Sequence, residues 1–481
     1  MIFNSLTYLV LLTIVVPLFW ILPYRARLLL ILATSITFYG FWRVEFIPVL
    51  MFSVVVDWWV ALRMSSAPEK KRFHLLLISI GVNIGLLFYF KYLMFFADNF
   101  VSLANIFGAN LDPILINIIL PLGISFYTFQ TISYIVDVYR RHINHEKDFL
   151  LYACYVTFFP QLVAGPILRA SEVIKQFFER KSFCLDHIFV GSRRILYGFF
   201  LKVVLADNIA PLVDHGYSMP VESMSALDVW TLAFLFGFQI YFDFSAYSHI
   251  ALGSARLLGI VFPENFNFPY IATSPRDFWR RWHISLSSWI RDYIYLPLAG
   301  IKVSDRSVGG LTIATSKKGN GRALYATWAI MGLWHGANWT FVLWGIYHAL
   351  MISIYRLVSP LGNELNEKFK SVGGVFFTLP LMMLGWIPFR AESLNQTFAM
   401  WGKVFDLNAY FWLGMRENTY LITFILLIGM LLSSFLRNVF FTNLPLLNRG
   451  KQLLDITAIA VVVALVIVFL RPISQFIYFQ F

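Results

Sequence analysis

The chain has 481 residues, of which 59% are hydrophobic, 18% aromatic and only 13% charged. A soluble globular domain carries roughly a quarter charged residues, so an ordinary soluble protein is excluded and a polytopic α-helical membrane protein is indicated; outer-membrane barrels are excluded too, because their strands alternate apolar and polar whereas the runs here are continuous. The net charge of +12 does not call for nucleic acid, because in a membrane chain cations collect in cytoplasmic loops and meet anionic headgroup lipids.

A helix crosses the hydrocarbon core in about 20 residues. Apolar runs predict spans near 5–22, 27–42, 46–62, 75–96, 114–138, 195–213, 229–256, 323–337, 339–355, 372–389, 418–436 and 454–470. The expected fold is therefore all-α, with about 11–12 transmembrane helices, several of them short against the usual span. The first run has neither the basic start nor the cleavage site of a signal peptide and is expected to be retained. Cys154 and Cys184 make no disulfide framework and no zinc pattern, and no metal is expected.

Lys and Arg set the orientation. The stretches 63–74, 140–147, 169–194 and 276–322 are basic and are expected on the cytoplasmic side, whereas 97–113 and 214–228 hold no Lys or Arg. This alternation puts both termini outside, with a weak point at 390–417, which carries Arg390, Lys403 and Arg416. Residues 323–355 read either as a tight hairpin turning at His335–Asn338 or as one long tilted helix. Two further apolar stretches, 151–168 and 289–300, are flanked by basic residues and contain Pro and Gly. They are expected to be re-entrant or interfacial, which is tolerated only where protein or a cavity surrounds the backbone. A central funnel or tunnel follows from that reading. Three segments are expected: 1–113 as N-terminal transmembrane helices, 114–357 as the core with its re-entrant pieces, and 358–481 as C-terminal transmembrane helices with an extracytoplasmic tail.

Residues 276–292, RDFWRRWHISLSSWIRD, concentrate charge, Trp and His in an otherwise oily chain. Ser274, Pro275 and Asp277 spell a helix start with Ser as N-cap, and Asp277–Arg281 and Trp279–His283 are spaced to share one helix face. Two readings stand. One is an interfacial anchor, since Arg and Trp mark the membrane–water boundary. The other is an anionic-ligand site in which Arg276, Arg280, Arg281 and Arg291, with Trp282, bind a donor beside His283.

His335 lies inside the apolar run 331–350. An intramembrane ionisable group is a functional hypothesis by default, and a neutral imidazole there is suited to accept a proton from a hydroxyl. The alternative is a histidine bonded to a neighbouring helix. Gly332 and Gly336 permit close approach of backbone or substrate. His348 reads as structural, Asp243 as a buried carboxylate paired with a cation or hydroxyls, Asn338 as part of the polar core, and Asp57 as structural. The sequence carries no metal-binding His/Cys spacing, phosphate loop or GxSxG elbow.

These residues resemble the membrane-bound O-acyltransferase superfamily. The resemblance rests on LWHG at 333–336, on FWRRWHISLSSWIRDYIYLPLAG at 278–300 and on YFDFSAYSHIALG at 241–253. PLGISFYTFQTISYIVDVYR (121–140), FFPQLVAGPILR (158–169) and ENFNFPYIATSPRDFWRRWHISL (264–286) are similar to the bacterial branch that acylates exported polymers, and WIPFRAESL (386–394) to its alginate O-acetyltransferase type. The chain departs from the pattern at Ala246 and His249, where members commonly have Gly and Asp, so no role carries over to His249.

The resemblance implies an enzyme of the bacterial inner membrane. It would move an acyl group from a cytoplasmic thioester, acetyl-CoA or an acyl-carrier protein, to an extracytoplasmic acceptor. His335 matches the family's catalytic histidine and His283 the second histidine of the bacterial branch. His335 is expected as general base and His283 as the group that places or polarises the thioester. FIYFQF at 476–481 resembles the ending in which a tyrosine is an acyl carrier, which makes Tyr478 a relay candidate that hands acetyl to a periplasmic partner protein; anchoring at the interface is the alternative. No bound cofactor is expected. Peptidoglycan O-acetylation or D-alanyl transfer to teichoic acid by the same fold are the other enzyme readings, and a transporter or flippase is the non-enzyme one.

Overall fold

The structure is a computed structural model. It describes residues 2–113, 116–163, 165–179, 181–301, 320–359, 367–442, 448–471 and 476–477. Among these, every regular element is helical and no strand occurs. Among the described residues, six helices are long and apolar enough to cross a membrane: Val44–Ser65, Glu69–Ile106, Leu185–Tyr217, Ala226–Leu257, Trp339–Val358 and Val372–Arg390. Leu6–Ile21, Glu417–Leu432 and Ile456–Val468 are shorter apolar helices. The chain is thus a multi-pass membrane protein.

The described residues form two compact units. The first comprises most of Met1–Ile195 with Ser248–Pro263; the second comprises Leu196–Tyr247, Glu264–Ile301 and the chain beyond. In the first unit, Asp57 is fully buried and accepts from Ser79 Oγ at 2.5 Å and from Asn83 Nδ2 at 2.8 Å. Asn83 Oδ1 accepts in turn from Ser53 at 2.8 Å and Thr131 at 3.0 Å. This network ties three helices together and gives Asp57 the structural place expected of it, because a buried carboxylate is tolerated only when its oxygens are satisfied.

The span expected at 114–138 begins only at Ile124. Gly123 stands at φ +72°, and a Cβ there would lie 2.2 Å from the Leu162 carbonyl oxygen. Glycine is required on both counts, and the turn it makes sets the start of the helix. The stretch expected to be re-entrant at 151–168 is broken into Phe149–Thr157 and Phe159–Leu162. Pro160 at the second helix's start, where its missing N–H costs nothing, suits that break.

In the second unit, Gly321–His335 and Trp339–Val358 pack against each other as a hairpin, which decides between the two readings of 323–355. Asn338 caps the second helix by accepting the Thr340 N–H at 3.0 Å. It is exposed, so it works as a cap and not in a polar core. A Cβ on Gly332 would sit 2.1 Å from the Phe341 carbonyl oxygen, and one on Gly345 2.0 Å from that of Trp328. These two glycines let the helices meet backbone to backbone. The neighbour at Gly332 is therefore protein and not substrate.

Candidate active site

His283 is set by two short segments lying side by side. The Asn267 N–H donates to the Arg281 carbonyl and the Ile284 N–H to the Asn265 carbonyl, each at 2.9 Å. Helix Pro275–Arg281 starts as its sequence dictates: Ser274 Oγ accepts the Asp277 N–H at 3.1 Å, with Pro275 in the first turn. The helix ends at Arg281. Trp282 is extended, and His283 takes a left-handed backbone at φ +40° before helix Ile284–Ile290 begins. Trp279 and His283 therefore do not share a helix face as expected. Trp279 packs on Trp328 and His348, while His283 meets Phe244 edge-on at 4.6 Å. A non-glycine residue held left-handed costs on the order of 1–3 kcal/mol and tends to occur at functional sites.

His283 is fully buried. Asn265 Oδ1 lies 3.1 Å from its Nδ1 and also accepts from Ser285 N at 3.2 Å and Ser285 Oγ at 2.9 Å. The backbone N–H of Ser285 can only donate, so the Asn265 atom is the acceptor oxygen. His283 Nδ1 must then carry the proton. Nε2 is left as a lone pair, buried and with no hydrogen-bond partner among the described residues. Burial pushes the His283 pKa down to about 3, so the ring is neutral near pH 7.

His335 is the last residue of Gly321–His335 and is buried. Its ring packs on Trp334 and Trp344, both at 4.9 Å, and on Phe389 at 5.2 Å. A continuous series of ring contacts links the two histidines: His283 to Phe266 at 6.3 Å, Phe266 to Trp282 at 5.1 Å, Trp282 to Trp386 at 4.8 Å, Trp386 to Trp344 at 6.2 Å, and Trp344 to His335 at 4.9 Å. Both imidazoles thus belong to one aromatic core. Trp282 is a buried member of it and offers no exposed face to a donor. His348 is fully buried among Trp279, Trp328 and Trp344, and neither of its ring nitrogens has a hydrogen-bond partner among the described residues.

The four arginines separate into two kinds. Arg281 Nε binds both Asp277 oxygens at 3.0 Å, and Arg291 binds Asp292 through Nε at 2.6 Å and a second nitrogen at 3.1 Å. These two are committed to carboxylates beside them. Arg276 and Arg280 are exposed, and Arg276 stands over the Tyr355 ring. Asp243 pairs with Lys202 Nζ at 2.9 Å, the cation expected for it. Tyr478 lies outside the described residues, although Phe476 and Ile477 do not. His249 falls in the first unit. Among the described residues no group of His, Cys, Asp and Glu is arranged to hold a metal ion. Sequence reading missed Asn265, whose one signal is an amide ahead of Phe266 in NFNF; it also missed Trp344 and Phe389 as the wall around His335, and Trp386 as the ring that joins Trp344 to Trp282.

A profile of the membrane-bound O-acyltransferase family matches residues 140–389, a range that holds both histidines. The chain is 36% identical to “Probable alginate O-acetylase AlgI” of Pseudomonas putida over the full length of both proteins. The chain belongs to the membrane-bound O-acyltransferase family. Other relatives of this acyltransferase carry different acceptors in their names. “Peptidoglycan O-acetyltransferase” of Helicobacter pylori is 34% identical over 80% of this chain and 75% of its own. “Teichoic acid D-alanyltransferase” of Bacillus subtilis is 28% identical over 53% of this chain and 62% of its own. The chain is an O-acyltransferase, and its chemistry needs an acyl donor.

Proposed function

We propose that this acyltransferase carries an acetyl group from a cytoplasmic thioester, acetyl-CoA or an acyl-carrier protein, across the bacterial inner membrane for O-acetylation of an exported polysaccharide of the alginate kind. The full-length similarity to the alginate O-acetylase supports the acceptor class. The observation that carries the reading is the pair of buried imidazoles in one aromatic core, His335 at the end of its helix and His283 with a fixed tautomer.

His335 acts as general base. The Tyr478 hydroxyl attacks the thioester carbonyl carbon and gives its proton to the His335 imidazole. The tetrahedral intermediate collapses, the C–S bond breaks, and the proton passes to the departing thiolate. The acetyl ester on Tyr478 is then handed to a periplasmic partner protein, which completes transfer to the polymer. His283 has a different task from polarising the carbonyl. Its Nε2 is an acceptor, so it holds the donor arm by accepting from an amide N–H. Arg276 and Arg280 receive the donor's phosphates or an acidic carrier surface.

Membrane vesicles supplied with labelled acetyl-CoA test this. Label is expected on the C-terminal peptide of the wild type, and none on Tyr478→Phe or His335→Ala. Transfer that proceeds normally in Tyr478→Phe would leave the tail as an anchor only. Peptidoglycan as acceptor is the second reading, favoured by the Helicobacter relative that spans most of the chain. Labelled muropeptides in place of labelled exopolysaccharide would decide for it.

A further inference from the structure

Away from the two histidines, the second unit holds a buried cluster of charge. Lys202 Nζ lies 2.9 Å from both Asp207 Oδ1 and Asp243 Oδ1, and Lys202 and Asp243 are almost wholly excluded from solvent. Lys202 sits on Phe200–Ala206, where the helix widens to π geometry, and the last helix, Asn448–Val468, packs on that turn. Two carboxylates share one ammonium. Buried carboxylate oxygens need donors, and the second oxygen of Asp243 finds one in the C-terminal tail: the Ile477 N–H donates to Asp243 Oδ2 at 2.9 Å.

Side chains reinforce that contact. Phe476 is fully buried and stacks on Tyr247 at 4.2 Å and 24°, with Phe244 at 5.6 Å. Asp243 and Tyr247 are one helical turn apart, so they present an acceptor and a flat ring on the same face. Phe244, between them, is the ring that meets His283 edge-on at 4.6 Å. The tail is thus held one ring away from His283.

We infer that Asp243, braced by Lys202 and Asp207, forms with Tyr247 and Phe244 a docking site for the C-terminal segment, which takes an aromatic side chain and the next backbone N–H and positions the tail for acyl transfer. The functional half of this inference rests on the carrier reading above; the docking half does not. Asp243, Lys202 and Tyr247 are positioning residues in this arrangement.

The test reads tail docking directly. Ile477→Cys keeps the backbone N–H and puts a thiol where a buried side chain stood. In a Cys184→Ser background of the full-length protein in detergent, maleimide labelling of that thiol is expected to be slow. Adding Phe476→Ala or Asp243→Ala is expected to speed it at least about tenfold, since a stacked ring or a charge-assisted hydrogen bond is lost. Adding Phe476→Tyr restores slow labelling. Phe476→Ala lies on the tail and leaves the charge cluster intact, so it reads docking even where Asp243→Ala fails to fold. Equal labelling rates in all variants, fast or slow, overturn the docking site. In turnover assays Phe476→Ala lowers kcat and leaves the thioester KM unchanged; a rise in KM with kcat intact overturns the positioning role. Slow labelling together with full activity of Tyr478→Phe keeps the docking site and removes the carrier reading.

Discussion

Asn265 Oδ1 accepts from His283 Nδ1 at 3.1 Å while also accepting the Ser285 N–H, and this one oxygen decides which face of the imidazole is reactive. A residue 18 positions earlier in the chain thus fixes the histidine's tautomer. Asn265→Asp keeps an acceptor for Nδ1–H and adds a negative charge, so it is expected to hold activity near wild type while moving the acid limb of the pH–rate profile upward. Asn265→Leu removes the acceptor and leaves a buried N–H unsatisfied, at a cost of about 1–3 kcal/mol. It is expected to lower both thermal stability and turnover. Equal pH profiles for wild type and Asn265→Asp would count against this role.

The His283 environment also predicts how stability responds to acid. Burial lowers its pKa from 6.5 to about 3. The unfolded chain therefore binds the proton first as pH falls, and stability falls with it. The contribution is whole above about pH 6.5 and is lost progressively toward pH 3. Thermal unfolding in detergent across that window measures it, and His283→Gln is expected to flatten this part of the curve. An unchanged slope in His283→Gln contradicts the assignment.

Donor binding should separate the arginines. Arg276→Ala and Arg280→Ala are expected to raise the KM for the thioester, together by about tenfold, as for lost charge-assisted bonds, with kcat little changed. Arg281→Ala and Arg291→Ala remove partners of Asp277 and Asp292 and are expected to lower stability instead. Steady-state kinetics on the four single variants reads the split.

The hairpin that carries His335 depends on its glycines. Gly332→Ala and Gly345→Ala force a methyl against a carbonyl oxygen at about 2 Å. Overpacking costs about 1–3 kcal/mol and more where backbone must move. Both are expected to lower the melting temperature and the yield of folded protein. Gly402→Ala, with nothing within 4 Å of its added carbon, is the matched control and is expected to be neutral or slightly stabilising.

Much of this was legible in the chain. Helix existence followed from apolar runs, because lipid forces backbone groups to pair within their own segment. The start at Ser274–Asp277 followed from capping chemistry, which is local. The start of the Ile124 helix did not, because it is set by Gly123 meeting Leu162, a contact distant in sequence. The same holds at His283. Spacing put it on the Trp279 face, but the helix stops at Arg281 and the backbone turns left-handed, a tertiary override that periodicity cannot register. Asn265 escaped notice because nothing in NFNF says which histidine it will meet. Arg281 and Arg291 looked like ligand groups until their neighbouring carboxylates were seen to occupy them.

The central claim is that His335 removes the proton of the hydroxyl that attacks the thioester. Its most direct test is the O-acetyl content of extracellular polymer from a deletion strain complemented with wild type, His335→Ala or His335→Gln, at matched levels of the membrane protein. Loss of a general base costs roughly 10²–10⁴-fold, so both variants are expected to leave O-acetyl at the level of the deletion strain. Wild-type O-acetylation in either variant contradicts the account.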